Sequence, residues 1–91
     1  MMSETRSDTP AQINTRIGKR IRTARKTRGM SQTQLGDALG VSFQQIGKYE
    51  SGLNTISVPT FLTLCRVLRV RPATILEEFV AGQTSQTSAH A

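Results

Sequence analysis

Tryptophan is absent from these 91 residues, and there are only one tyrosine, three phenylalanines, one cysteine and one histidine. With so few aromatics, a core must come from Ile, Leu, Val and Ala. That supply suits one helical unit of roughly 60–70 residues, without the extra walls of a catalytic cleft. Cys65 has no partner, which excludes an internal disulfide and a cysteine-rich metal site. It sits in the apolar run FLTLC and reads as a core filler. His90 lies in a C-terminal tail, so Cys65 has no base beside it in sequence. No carboxylate pair, metal cluster or nucleophile–base set is visible, and the chain reads as non-enzymatic and without a cofactor. No stretch approaches the roughly 18 apolar residues of a membrane span. Met1–Pro10 is polar and lacks the apolar core of a signal peptide, which makes the cytoplasm the expected compartment.

Acidic residues are also scarce, with 6 Asp+Glu against 12 Lys+Arg and a net charge of +6. The distribution matters more than the total. Arg16, Lys19, Arg20, Arg22, Arg25, Lys26 and Arg28 form a block with no acid among them. Such a block suits a polyanion, either nucleic acid or an anionic membrane surface. The alternative is a solubilising helix face. A membrane role is disfavoured, because the Ile stripe of the same segment is needed for the core.

Helix punctuation is dense. Thr9-Pro10-Ala11-Gln12 is a helix start, with Thr as cap, Pro in the first turn and Gln closing a capping box. Ile13, Ile17, Ile21 and Ala24 follow at helical spacing. Gly29 ends this helix, with Met30 folding back as the apolar contact. Ser31-Gln32-Thr33-Gln34 repeats the start, and a second helix runs to about Leu39 and Gly40. Ser42-Phe43-Gln44-Gln45 repeats it again, and a third helix runs to about Ser51 and Gly52. Leu53–Ile56 is a loop. Ser57 caps a fourth helix with Pro59 in its first turn; Phe61, Leu62, Leu64, Cys65, Val67 and Leu68 make it the most apolar. A short fifth helix from Pro72 carries Ile75, Leu76 and Phe79 and ends at Gly82. The expected organisation is a flexible tail at 1–9, a helical domain at 10–80 and a polar disordered tail at 81–91. The fold class is all-α, a compact five-helix bundle.

Gln32–Ser51 carries the functional signal: two short helices joined by a glycine turn, with Leu35, Ala38, Leu39, Val41, Ile46 and Tyr49 as the buried set. At about 100° per residue, Ile46, Tyr49 and Leu53 point toward the body, while Gln44, Lys48 and Ser51 point away. Amide and ammonium groups on that outer face match base edges: Gln pairs with adenine and Lys donates to guanine acceptors. Phe43 is placed to touch a thymine methyl, and Ser42 combines a cap with a backbone or base contact. Gln45 lies on one flank. Gly47 sits mid-helix, which costs about 1 kcal/mol relative to alanine; a close approach to DNA or to the second helix would explain it. Gln32 and Thr33 stand at a helix N-terminus, where free N–H groups favour a phosphate. Asn54 and Thr55 follow the third helix and are candidate backbone contacts.

The segment RGMSQTQLGDALGVSFQQIGKYESG resembles the Cro/repressor-type helix-turn-helix domain of the xenobiotic-response-element family, over about Ile13 to Phe79. The SQxxL start, the GVS turn, Ile46 and the Glu50-x-Gly52 end carry the resemblance. It implies a lambda-repressor-like bundle, a homodimer on a pseudo-palindromic operator in double-stranded DNA, and a regulator of transcription, most often a repressor. It further implies that Gln32 contacts a phosphate, that Phe43, Gln44 and Lys48 face bases, and that Arg25 pairs with Glu50. Dimerisation is expected through the loop after the third helix, the fifth helix, Phe79 and Val80. Two positions depart from the pattern: Gly36 replaces a common alanine, a small loss of helix propensity, and Phe43 replaces a common polar reader. No sensor, oligomerisation or protease-like domain is expected. Two other readings share the bundle. One is the antitoxin of a toxin–antitoxin pair, with a small protein partner; the other is a helical interaction module that does not read DNA.

Overall fold

The computed structural model describes residues 9–79, and within them every regular element is a helix. In chain order they are α1 (Pro10–Thr27), α2 (Gln32–Leu39), α3 (Phe43–Ser51) and α4 (Val58–Leu68), followed by α5 over 72–79. The expectations for residues 1–8 and 81–91 as tails, for Gly82 as a helix end and for Val80 lie outside the described residues, whereas Thr9, expected as the last residue of the N-terminal tail, is fixed as the cap of α1.

The caps explain most of the boundaries. Thr9 and Ser31 each form a reciprocal capping box, with Gln12 and Gln34 respectively. Ser42 caps α3 from one side only. Its hydroxyl accepts from the Gln45 N–H at 3.1 Å, but the Gln45 side chain turns away to Asn54. The expected third box is therefore a single cap. Arg28 closes α1, and the Met30 N–H returns to the Arg25 carbonyl at 3.1 Å across Gly29. Gly40 and Gly52 end α2 and α3 at φ 78° and 82°, a left-handed conformation that costs glycine no side-chain clash. α4 stops without a glycine: Arg69 itself takes the left-handed cap at φ 58°.

Ile21, Leu35, Ile46, Leu64 and Leu68 are wholly buried, and Cys65, Ile75 and Phe61 complete the core. One residue or more from each of the five helices contributes, so the bundle closes on a single apolar centre. α3 packs against both α1 and α2, while α4 backs α1 and α2. At the far end Glu78 of α5 accepts from Arg16 at 2.6 Å and from Arg20, and the Arg16 guanidinium lies 5.1 Å from the Phe79 ring centroid. Burial pushes the Glu78 carboxyl up, but hydrogen bonds and charge from the two arginines outweigh it and hold it below the ordinary value.

Four packing expectations change. Leu53 does not face the body; it is 74% exposed, because Gly52 redirects the chain and the α3 wheel ends there. Ala38 is exposed: the eight-residue α2 turns Leu35, Gly36 and, partly, Leu39 inward and Ala38 outward. Leu62 lies on the outer face of α4 at 47% exposure. Gly36 does more than weaken a helix. A Cβ there would stand 2.5 Å from the Val41 carbonyl oxygen, so its smallness lets the turn fold back onto α2.

Candidate nucleic-acid interface

α3 is fixed by its inner side and open on its outer one. Ile46 is fully buried and Tyr49 half-buried, whereas Gln44, Lys48 and Ser51 are exposed together and Phe43 is half exposed at the helix start. The helix thus offers an amide, an ammonium, a hydroxyl and an aromatic edge on one rigid rod. Ser42, just ahead of it, spends its hydroxyl oxygen on the cap.

That rod is tethered to α1 by a buried ion pair. Arg25 Nε donates to Glu50 Oε2 at 2.6 Å and Arg25 Nη2 donates to Glu50 Oε1 at 3.1 Å, a bidentate grip between α1 and α3. Arg25 Nη1 also donates to the Met30 carbonyl at 2.8 Å, just ahead of α2. Gln32 Nε2 donates to Glu50 Oε1 at 3.1 Å. One carboxylate therefore ties together the first three helices, and its charge is neutralised where it would otherwise repel a phosphate. The pair is buried, with side-chain exposures of 8% and 3%.

Gln32 thus turns its amide nitrogen inward to Glu50, which leaves a second amide hydrogen and the carbonyl oxygen for an external group. Thr33 beside it is exposed on the first turn of α2. A Cβ at Gly47 would meet only Gln32 Nε2, at 3.7 Å. That is ordinary contact, so approach to α2 does not require the glycine.

The loop after α3 is pinned on both sides. Asn54 Oδ1 accepts from Gln45 Nε2 at 3.0 Å, and Thr55 Oγ1 accepts from Asn14 Nδ2 at 3.2 Å. Gly52 lies over Thr15, where a Cβ would fall 2.7 Å from the Thr15 Cα. Gln45, Asn54 and Thr55 are thereby brought together, with Thr55 keeping its hydroxyl hydrogen to donate. Asn14 and Thr15 are the residues that sequence reasoning missed here. They lie in α1, 41 and 37 positions from the groups they meet, and no local pattern marks them.

A two-helix unit with a glycine turn, an inner helix braced by the core and an outer helix exposing Gln and Lys defines a helix-turn-helix protein. The helix-turn-helix family model matches residues 21–75, and the chain belongs to that family, in its XRE-type branch. It is 39% identical over 69 residues to y4wC, an uncharacterised HTH-type transcriptional regulator of Sinorhizobium fredii, covering 76% of this chain and 48% of that protein. The chain spans about half the length of several curated relatives it matches. The fold matches the clp gene regulator ClgR of Corynebacterium glutamicum with a TM-score of 0.70 at 23% identity, covering 77% of this chain and 91% of that one. The P22 c2 repressor, crystallised with a synthetic operator, matches with a TM-score of 0.60 at 30% identity, covering 65% and 89%. No helix among the described residues is long and apolar enough to cross a membrane.

Proposed function

We propose that this protein is a non-enzymatic, sequence-specific transcriptional regulator of the cytoplasm, acting as a repressor that binds a pseudo-palindromic operator as a homodimer. The observation that carries the reading is the outer face of α3. Gln44 and Lys48 stand exposed one turn apart, opposite the wholly buried Ile46, on a helix clamped by the Arg25–Glu50 pair. In this reading α3 enters the major groove, where Gln44 and Lys48 meet base edges and Phe43 meets a thymine methyl. Gln32, Thr33, Ser42, Asn54 and Thr55 hold the flanking backbone, and Gln45 holds Asn54 in place for it. Repression follows by occlusion of a promoter. The relation to the P22 c2 repressor supports the operator-binding part of the proposal.

The dimer half of the reading rests on apolar side chains beside the α3–α4 loop. Leu53 and Val58 are 74% and 69% exposed, and Leu62 is 47% exposed. Val58 also borders a groove of about 170 Å³ with Ile17, Ile56, Phe61 and Leu76. Such a patch next to the reading helix would set two copies with their α3 helices about one DNA turn apart. Selection of bound sequences from a random duplex pool tests the whole proposal. A consensus with two-fold symmetry is the expected result; recovery of unselected sequence overturns sequence-specific binding, and an asymmetric single site overturns the dimer.

A further inference from the structure

α1 carries more positive charge than its buried pair uses. Around its axis, taking Gly18 as the reference, Ile21, Ile17 and Ala24 fall about 60–120° to one side, which is the core side. Arg22 and Lys26 fall about 40° and 80° to the other side, with Thr15 between them. Both cations are exposed. Two contacts fix where this edge lies. Gly18 abuts the Glu50 carbonyl, where a Cβ would stand 2.5 Å from the oxygen, and Thr15 carries Gly52. The C-terminal end of α3 therefore lies over the Thr15–Gly18 edge of α1. About two turns further along, Arg25 reaches Glu50 and the Met30 carbonyl ahead of α2. Arg22 occupies the stretch of α1 between the end of α3 and the start of α2, and Lys26 continues it.

We propose that the Arg22–Lys26 edge of α1 is a second backbone-binding row, contacting DNA phosphates beside the base pairs that α3 reads. This rests on the DNA-binding role proposed above and extends it to residues outside the two-helix unit. The chemistry fits a phosphate track rather than base readout. The two cations are four residues apart, roughly 6 Å along the helix, within about two base-pair rises of 3.4 Å along one strand. Neither is fixed by an ion pair to a described acid; the α1 arginines that are so fixed are Arg16, Arg20 and Arg25. Long mobile cations serve phosphates, which need charge rather than fixed geometry.

The test is a titration of the full chain against a selected operator duplex and a scrambled duplex over a fourfold salt range, for the parent, Arg22→Gln/Lys26→Gln and Arg71→Gln. Each lost phosphate contact removes about 0.9 from the slope of log affinity against log salt, so the parent's salt-induced weakening falls by about 3.5-fold per cation. The double variant is expected to lose about two such steps, to weaken equally on both duplexes and to keep the parent's sequence preference. Arg71→Gln, exposed beyond α4, is expected to keep the parent's slope. An operator-binding parent with an unchanged slope in the double variant overturns the row and leaves the α3 reading standing. A changed base preference also overturns it, since Arg22 or Lys26 would then touch bases. A parent that binds neither duplex removes the DNA-binding role and this row with it.

Discussion

Gly18 of α1 and Glu50 of α3 meet so closely that no side chain fits between them: a Cβ on Gly18 would lie 2.5 Å from the Glu50 carbonyl oxygen and nearer still to that of Tyr49. The atoms in the way are backbone, which cannot swing aside. Gly18→Ala gains about 1 kcal/mol in helix propensity, but overpacking costs about 1–3 kcal/mol or more when backbone must shift. The clash is the larger effect, so the variant should melt at a lower temperature and bind operator more weakly, because α3 is displaced. Chemical denaturation checks the sign. A stabilised Gly18→Ala would mean that α1 and α3 separate at little cost.

Arg25 and Glu50 should respond asymmetrically to single and double substitution. Arg25→Ala leaves a buried carboxylate with Gln32 as its remaining side-chain donor, and breaking a buried pair in this way costs about 3–5 kcal/mol. Arg25→Met with Glu50→Leu replaces the pair by apolar groups and should recover much of that loss. DNA binding should not recover with it, because Gln32 loses its acceptor and α3 loses its anchor. Melting curves and operator titrations on the parent and these two variants separate the two effects.

Lys48→Ala and Gln44→Ala should leave folding intact, since both side chains are exposed. Each should cost about 1–3 kcal/mol on operator DNA and relax preference at one base pair if it reads a base. An equal loss on random duplex would reassign that side chain to the backbone.

Leu53→Asp with Val58→Asp places charge on the exposed apolar patch beside the reading helix. Neither residue is part of the core, so the melting temperature of the protomer should hold. Sedimentation should shift from dimer to monomer, and the parent's tighter binding to a two-half-site operator than to a single half-site of equal length should be lost. An unchanged dimer would move the interface elsewhere.

Glu78 links α5 to α1 through Arg16 and Arg20, and its carboxyl is held below the ordinary value of 4.5. A depressed carboxylate contributes stability above its unfolded value and loses it as pH falls through the folded one. Stability should therefore drop on acidification from about 4.5 downward, and Glu78→Gln should flatten that part of the curve. Denaturant midpoints across this window, at low and high salt, give the measurement. Identical acid limbs in parent and variant would show that the tether contributes nothing.

How much was legible in the sequence differs by kind of interaction. Helix starts at Thr9, Ser31, Ser42 and Ser57 and stops at Gly29, Gly40 and Gly52 depend on residues three or four positions apart, and the chain carries that information locally. The wet side of α3 follows from the same helical period. Period alone fails where the helix ends: a wheel extended past Gly52 turns Leu53 inward, whereas the residue is exposed. It fails too at Arg69, which takes a left-handed cap with no residue-type signal.

What the amino-acid order determined by itself is the list of helices and the polar face of α3, because caps and periodicity act within one or two turns. What only the tertiary structure decided is how those helices touch: Gly18 under the end of α3, Gly36 under Val41, Asn14 on Thr55, Gln32 on Glu50. Those contacts join groups 5 to 41 residues apart. They depend on crossing angles set by packing Ile21, Leu35 and Ile46 into one core, and no local pattern encodes an angle.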